Sequence, residues 1–283
     1  MTREMVKATD QKPLAFPIDW LRKYNRQKDE LDKQLIRGLE EPGKGLSLDE
    51  LQAFLEHQNP FKKSAISRKD RLFSTTEEQI VRILEINEAV WKNPAITAEA
   101  IKALGDPPQC PPSDGQHLYC VCLLFETGDP ANTFRLNWEA CVHIHGQDLT
   151  WKWDGLVFAL EGVRQRIGAK PRPVGLHWRV CELGRRFKGK SVKNVRLQLD
   201  QSKTIGMGQE LPMIAALHPK WAKSLNGQDK PFVDAPDLEV APRGQGDFSD
   251  APYLYFDAAR RRVRLDARGA GYPGGACGSG SLR

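Results

Sequence analysis

The period of the apolar residues changes along the chain. Trp20, Leu21, Tyr24, Leu31, Leu35 and Leu39 recur at intervals near three and four, the spacing that lines one face of a helix, and Asp19 stands where its N-cap belongs. SLDELQAFLEH repeats the pattern with Leu48, Leu51, Phe54 and Leu55. There Ser47 and Glu50 have the spacing of a capping box, in which each side chain satisfies a free backbone N–H. Thr75 and Glu78 are spaced likewise ahead of EQIVRILEINEAVWKN, which Asn93-Pro94 terminates because a proline ring disfavours helical backbone at the residue before it. A shorter helix is expected from Thr97 to Leu104, closed by Gly105. FKKSAISRKDR, residues 61–71, is a charged connection between these helices.

GDPPQCPPSDG, residues 105–115, holds four prolines in eleven positions, which neither a regular helix nor a central strand accepts. It reads as a linker between a helical region at 1–104 and a β-rich domain at 116–268, with a glycine-rich tail at 269–283. Downstream of it the pattern turns strand-like. HLYCVCLLFETG is rich in strand formers, and FRLNWEACVHIHG, reached through DPANT, is expected to pair with it as a hairpin. Further strands are expected at Leu149–Trp153, Val174–Cys181 and Val192–Leu199, and YLYFDAARRRVRLDAR reads as two strands around a short turn. GLVFALEGVRQRIG fits either a strand plus turn or a short helix. ELPMIAALHPKWAKSLNG reads as a helical hairpin or a helix broken at Pro219, and PFVDAPDLEV as extended chain. The tail GAGYPGGACGSGSLR is expected to be irregular unless its glycines let it pack against the sheet. The fold class is therefore α+β, a helical N-terminal region followed by a mainly antiparallel β-sheet domain with one or two helices.

Composition narrows the setting more than the fold. Hydrophobic residues at 40% and charged residues at 28% form a globular mixture and argue against a disordered chain. MTREMVKATDQKPL lacks the apolar core of a signal peptide, and no apolar run approaches the roughly 20 residues that cross a bilayer; a cytoplasmic protein with no membrane partner is expected. The six cysteines form no CxxC pair and are too sparse for a disulfide scaffold, so reduced thiols are expected. Cys120 and Cys122 share one side of their strand, where so small a side chain ordinarily packs.

Charge is the more telling property once it is divided. Residues 1–110 hold 18 basic and 18 acidic side chains and residues 111–283 hold 24 and 18, so the whole excess of +6 lies in the second part. Arg164 to Lys203 alone has twelve lysines or arginines against Glu182 and Asp200. Within it Arg179, Arg185, Arg186, Lys188, Lys190, Lys193 and Arg196 surround the turn FKGKS, where cations and free N–H groups can meet one anion. Trp178 and Phe187 supply aromatic faces of the kind on which bases stack. Arg260, Arg261, Arg262, Arg264 and Arg268 form a second cationic group. If the two groups share a face, they make a footprint for nucleic acid or another polyanion. The competing reading is a solvated surface with cations guarding strand edges, offset by the −4 carried by the rest of residues 111–283.

The histidines carry less. An extended FRLNWEACVHIHG would set Arg135, Asn137, Glu139, Cys141, His143 and His145 on one face and Leu136, Trp138, Ala140, Val142 and Ile144 on the other. That is the face of a half-solvated strand; it is also a weak metal candidate in which Cys141, His143 and His145 meet His177, His117 or Glu139, although an HxH alone recurs by chance. GxSxG, Walker and HExxH motifs are absent. GMGQE from Gly206 reads as a turn, and Cys181, between Arg179 and Arg185, as a buried strand residue rather than an activated thiol.

Three functional readings follow. The leading one is a non-catalytic module presenting a basic face to nucleic acid or another polyanion. The second is an enzyme with a histidine-lined, metal-dependent pocket on the β-rich domain, drawing on His143, His145, His177 and Glu139 or Asp154. The third is an assembly protein whose N-terminal helices, through Trp20, Leu48, Phe54 and Trp91, pack against a protein partner. No cofactor class is indicated.

Overall fold

In the computed structural model, which describes residues 71–283, the Thr75 hydroxyl accepts from the Glu78 N–H and the Glu78 carboxylate accepts from the Thr75 N–H at 3.0 Å. This capping box opens α1 (Thr76–Ile86), which runs into a π-turn over Asn87–Trp91 and stops at Lys92 in the left-handed conformation. The Asn87 side chain then pins the returning chain, bonding the N–H and the carbonyl of Asn93, both at 2.9 Å, and the Ile96 carbonyl at 3.1 Å. α2 (Ala98–Ala103) follows from the Thr97 cap. The helices expected over 20–41 and 47–57, and the 61–71 connection except Arg71, lie outside the described residues.

Asp70–Arg283 forms one compact unit, and the proline-rich stretch 105–115 lies within it. α1 buries Ile83 and Ile86, and its Gln79 side chain donates to the Val121 carbonyl at 2.9 Å and accepts from the Leu123 N–H at 3.1 Å. That pair of bonds ties the helix to β1 (Tyr119–Glu126). β1 pairs antiparallel with β4 (Gly175–Glu182), from Tyr119 opposite Glu182 to Glu126 opposite Gly175.

Two sheets organise the unit. The first has the order β1-β4-β11-β5, with β5 at Ile205–Gly206 and β11 at Ser281–Leu282. The second runs β10 (Cys277–Ser279), β6 (Phe232–Asp234), β8 (Asp250–Asp257), β7 (Leu238–Val240), β3 (Val163–Gln165), and β9 (Arg262–Gly269) joins β8 to β2 (Thr150–Lys152). Pairing is antiparallel except for β10 with β6 and β2 with β9. The class is α+β. Between the elements runs α5 (Leu211–Leu217), buried at all seven residues, and α6 (Pro219–Ala222) continues it across the break at Pro219. α5 packs on α1, β1 and α3 (Pro130–His145), and the main buried cluster takes residues from these helices and from both sheets. Among the described residues no helix is long and apolar enough to cross a membrane.

Two expected strands are helices. FRLNWEACVHIHG is the body of α3: the Asp129 carboxylate accepts from the Ala131 and Asn132 N–H groups, and Pro130 fills the first helical position, where its missing N–H has no cost. Ala131, Phe134, Asn137, Trp138, Cys141 and His145 are the buried stripe, a three-and-four spacing hidden beneath an apparent alternation. Val192–Leu199 belongs to α4 (Val192–Ser202), which Ser191 caps through the Asn194 N–H and which buries Val192, Val195 and Leu199. GLVFALEGVRQRIG resolves into turns followed by strand β3.

The tail packs as its glycines permit. β10 and β11 bridge the two sheets, and Gly278 crosses the turn at Gly184 so closely that a Cβ on Gly278 would stand 1.9 Å from the Gly184 carbonyl oxygen. Gly184 itself has φ +81, a conformation that side chains other than glycine seldom take. Any side chain at Gly278 would part the tail from the first sheet.

Candidate functional site

The basic segment is largely absorbed by the fold. Arg185 donates to the carbonyls of Asp114 and Asp229, and Lys188 to that of Gln228. Lys190 reaches the Gln198 side chain at 2.8 Å. Arg196 donates to the Pro236 and Leu238 carbonyls at 2.7 and 2.8 Å and faces Glu239 at 3.7 Å, and burial lowers its pKa. Phe187 is 2% exposed, so no base can stack on it; Arg186 and Lys190 instead lie over its ring. Trp178 is half-buried against the core with its Nε1 buried and unpartnered. Arg186 and Lys193 are exposed, and Arg179 is half-buried.

Deeper still is a network of ions. Arg172 meets Glu210 at 2.5 Å and Asp237 at 3.3 Å, with side-chain exposures of 4%, 0% and 2%. Arg166 joins Asp237 to Asp200. Close by, Gln209 of the GMGQE turn donates to Glu126 at 2.9 Å. Burial, and then the neighbouring Glu210 charge, push the Glu126 carboxyl up to about 9. Glu126 is 1% and Gln209 2% exposed, so the turn belongs to the interior.

The second cationic group is gathered on one sheet face. Alternation on β9 sends Arg262, Arg264, Asp266 and Arg268 to one face, and the register sets Arg264 beside Trp151 of β2 and Tyr255 of β8, with Tyr253 opposite Asp266. The Arg264 guanidinium lies 3.8 Å above the Trp151 ring and 5.3 Å from the Tyr255 centroid. Tyr253 and Tyr255 stack at 5.5 Å, and Phe232 of β6 approaches Tyr255 at 5.1 Å. Trp151, Arg260, Arg262 and Arg264 line an open cleft of about 270 Å³.

Three carboxylates, Asp234, Asp257 and Asp266, accompany the arginines of this face. Asp257 pairs with Arg260 and Arg264 at 3.2 and 3.1 Å, and Arg268 clasps the buried Asp234. Arg262 donates its Nε to the Asp148 carbonyl at 2.8 Å and has no carboxylate partner among the described residues. Its two terminal nitrogens remain available. Arg264 Nε is buried without a partner, and Arg261 is exposed.

The histidines do not converge. Because α3 is a helix, side chains two apart diverge by roughly 200°: His143 turns outward to Glu85 at 3.2 Å, while His145 is buried against the Ala215 carbonyl at 3.1 Å, its pKa lowered to about 4 by burial. Cys141 is fully buried, and burial pushes its thiol up. Glu139 pairs with Arg135, His117 with Asp114, and His177 with the Gly175 carbonyl. The metal candidate built on Cys141, His143, His145 and His177 therefore has no common centre.

A different cluster takes its place. Cys120 stands opposite Cys181 across β1 and β4, Cys122 shares their face, and the three sulfurs lie within 4.8 Å of one another with exposures of 0–3%. His218, at the junction of α5 and α6, brings Nε2 to 3.3 Å from Cys122 Sγ. Its pKa falls to about 3, by burial and then by the Arg82 charge, so the ring is neutral. Sequence reasoning missed this group because its members come from three elements. The period-two pair Cys120 and Cys122 was its one visible trace.

No family model, curated protein or solved structure matches the chain.

Proposed function

We propose that the Asp70–Arg283 unit is a non-catalytic module that binds single-stranded nucleic acid on the face formed by β2, β9 and β8. One observation carries the reading: Trp151, Arg260, Arg262 and Arg264 line one open cleft, beside the stacked Tyr253 and Tyr255. Aromatic faces accept any base by stacking, and neighbouring cations follow the phosphates. A guanidinium resting on Trp151 is held in place before a ligand arrives, so less rotamer freedom remains to be lost on binding. The basic segment has exposed charge at Arg186 and Lys193 and no second stacking surface.

Short labelled single-stranded oligonucleotides titrated into the full chain test this. Affinity should fall with salt, each phosphate neutralised adding about −0.7 to the logarithmic slope. Trp151→Ala should weaken binding, because it removes the ring that holds the Arg264 guanidinium in place. An absence of binding at low salt, or binding that Trp151→Ala and Arg262→Ala leave unchanged, rejects the proposal.

A further inference from the structure

Cys120, Cys122 and Cys181 meet in the requirements of a metal site. Sulfurs that all lie within 4.8 Å of one another have a point no more than about 2.8 Å from each, so movements of about 0.5 Å bring all three to the roughly 2.3 Å of a metal–thiolate bond. The separation of Cys120 and Cys122, 3.5 Å between sulfurs, already suits two ligands of one ion. Nothing else of that kind occurs among the described residues.

His218 decides the coordination number. The Ser74 N–H donates to its Nδ1 at 3.1 Å, which leaves Nε2 as the ring's donor, and Nε2 faces Cys122 Sγ at 3.3 Å and the Val121 carbonyl. An Nε2 lone pair would leave a protonated Nδ1 against the Ser74 N–H, two donors face to face. His218 is thus a hydrogen-bond donor to a ligand sulfur, as outer partners of metal sites commonly are.

We propose that Cys120, Cys122 and Cys181 bind one monovalent copper ion in a three-coordinate, all-sulfur site, with His218 holding the Cys122 sulfur. Thiolates select soft ions, Cu(I) among them. Zinc in a closed site takes four ligands, and no fourth stands with the three sulfurs among the described residues. Each coordinating thiol releases its proton to solvent; the copper enters already reduced, so no electron is exchanged. The site is separate from the arginine face and stands or falls without it.

The test is anaerobic uptake of Cu(I), from a competing chromophoric chelator, by the reduced full chain, both folded and refolded with the ion present. The expected result is one equivalent per chain and an X-ray absorption spectrum showing three sulfur neighbours. Cys120→Ser, Cys122→Ser and Cys181→Ser should each abolish stoichiometric uptake, while Cys110→Ser and Cys141→Ser retain it. His218→Gln should keep the sulfur shell and weaken affinity by about 10- to 100-fold. Should the three serine variants fail to fold by circular dichroism, the unmodified protein decides alone. No stoichiometric uptake in either state, a nitrogen or fourth ligand in the shell, or preferential retention of zinc would overturn the proposal.

Discussion

The segment Arg164–Lys203 and the β8–β9 hairpin are both dense in arginine, yet their guanidinium groups meet different surroundings. In the segment, Arg166, Arg172, Arg185 and Arg196 end on carboxylates or on backbone carbonyls of other loops. They are struts. On the hairpin, Arg262 and Arg264 lie on a sheet face with Trp151 and Tyr255, and Arg262 keeps its terminal donors unused. Charge density along a chain thus says little about charge available to a ligand. What matters is whether the fold spends the donors on itself.

Substitutions can break this contrast or sharpen it. The largest effect should come from Arg172→Ala, which leaves Glu210 in the interior without its cation and Asp237 with Arg166 alone. Removing one partner of a buried pair costs about 3–5 kcal/mol, to be read from chemical denaturation of the full chain. If the loss is under about 1 kcal/mol, as for a surface pair, the strut description fails.

Glu126→Gln comes next and acts in the opposite direction. The folded carboxyl titrates at about 9, against 4.5 as its ordinary value. Folding therefore retains a proton that the unfolded chain gives up, and this stability is complete below about pH 4.5 and is lost as pH rises toward 9. The glutamine variant should show a flatter stability profile over that window and exceed the parent by about 2–4 kcal/mol at pH 8. A parallel pair of profiles would show that Glu126 is ionised in the fold.

Arg262→Ala should leave denaturation within about 0.5 kcal/mol of the parent, while reducing the salt slope of oligonucleotide binding by about 0.7 for one lost phosphate contact. The smallest effect is expected for Lys190→Ala, exposed and bonded to Gln198 on its own flank. Neither stability nor binding should change by more than about 0.5 kcal/mol. A larger effect on binding at Lys190 than at Arg262 would move the interface to the basic segment.

Local signals in the sequence reached some parts of the molecule and not others. The Thr75–Glu78 box, the β8–β9 hairpin and the break at Pro219 were legible because each is specified by neighbours in the chain. α3 and α4 were misread as strands because a helix with mixed polar and apolar residues also contains short alternations. The deciding marks were their caps, Asp129-Pro130 and Ser191. The arginine face was half legible: the cations of the hairpin stood out, but Trp151 joins them only through the parallel pairing of β2 with β9. The cysteine cluster depends on the 120–181 register, which no single segment announces.

The position of β11 has a consequence for synthesis. Ser281 and Leu282 are hydrogen-bonded between β4 and β5, strands made some eighty to a hundred residues earlier. A nascent chain can assemble β1, β4 and the helices above them, but β4 and β5 stay unjoined until residue 282 has cleared the ribosome. Until that moment the growing polypeptide presents an unpaired strand edge, the feature of partly folded chains that invites aggregation.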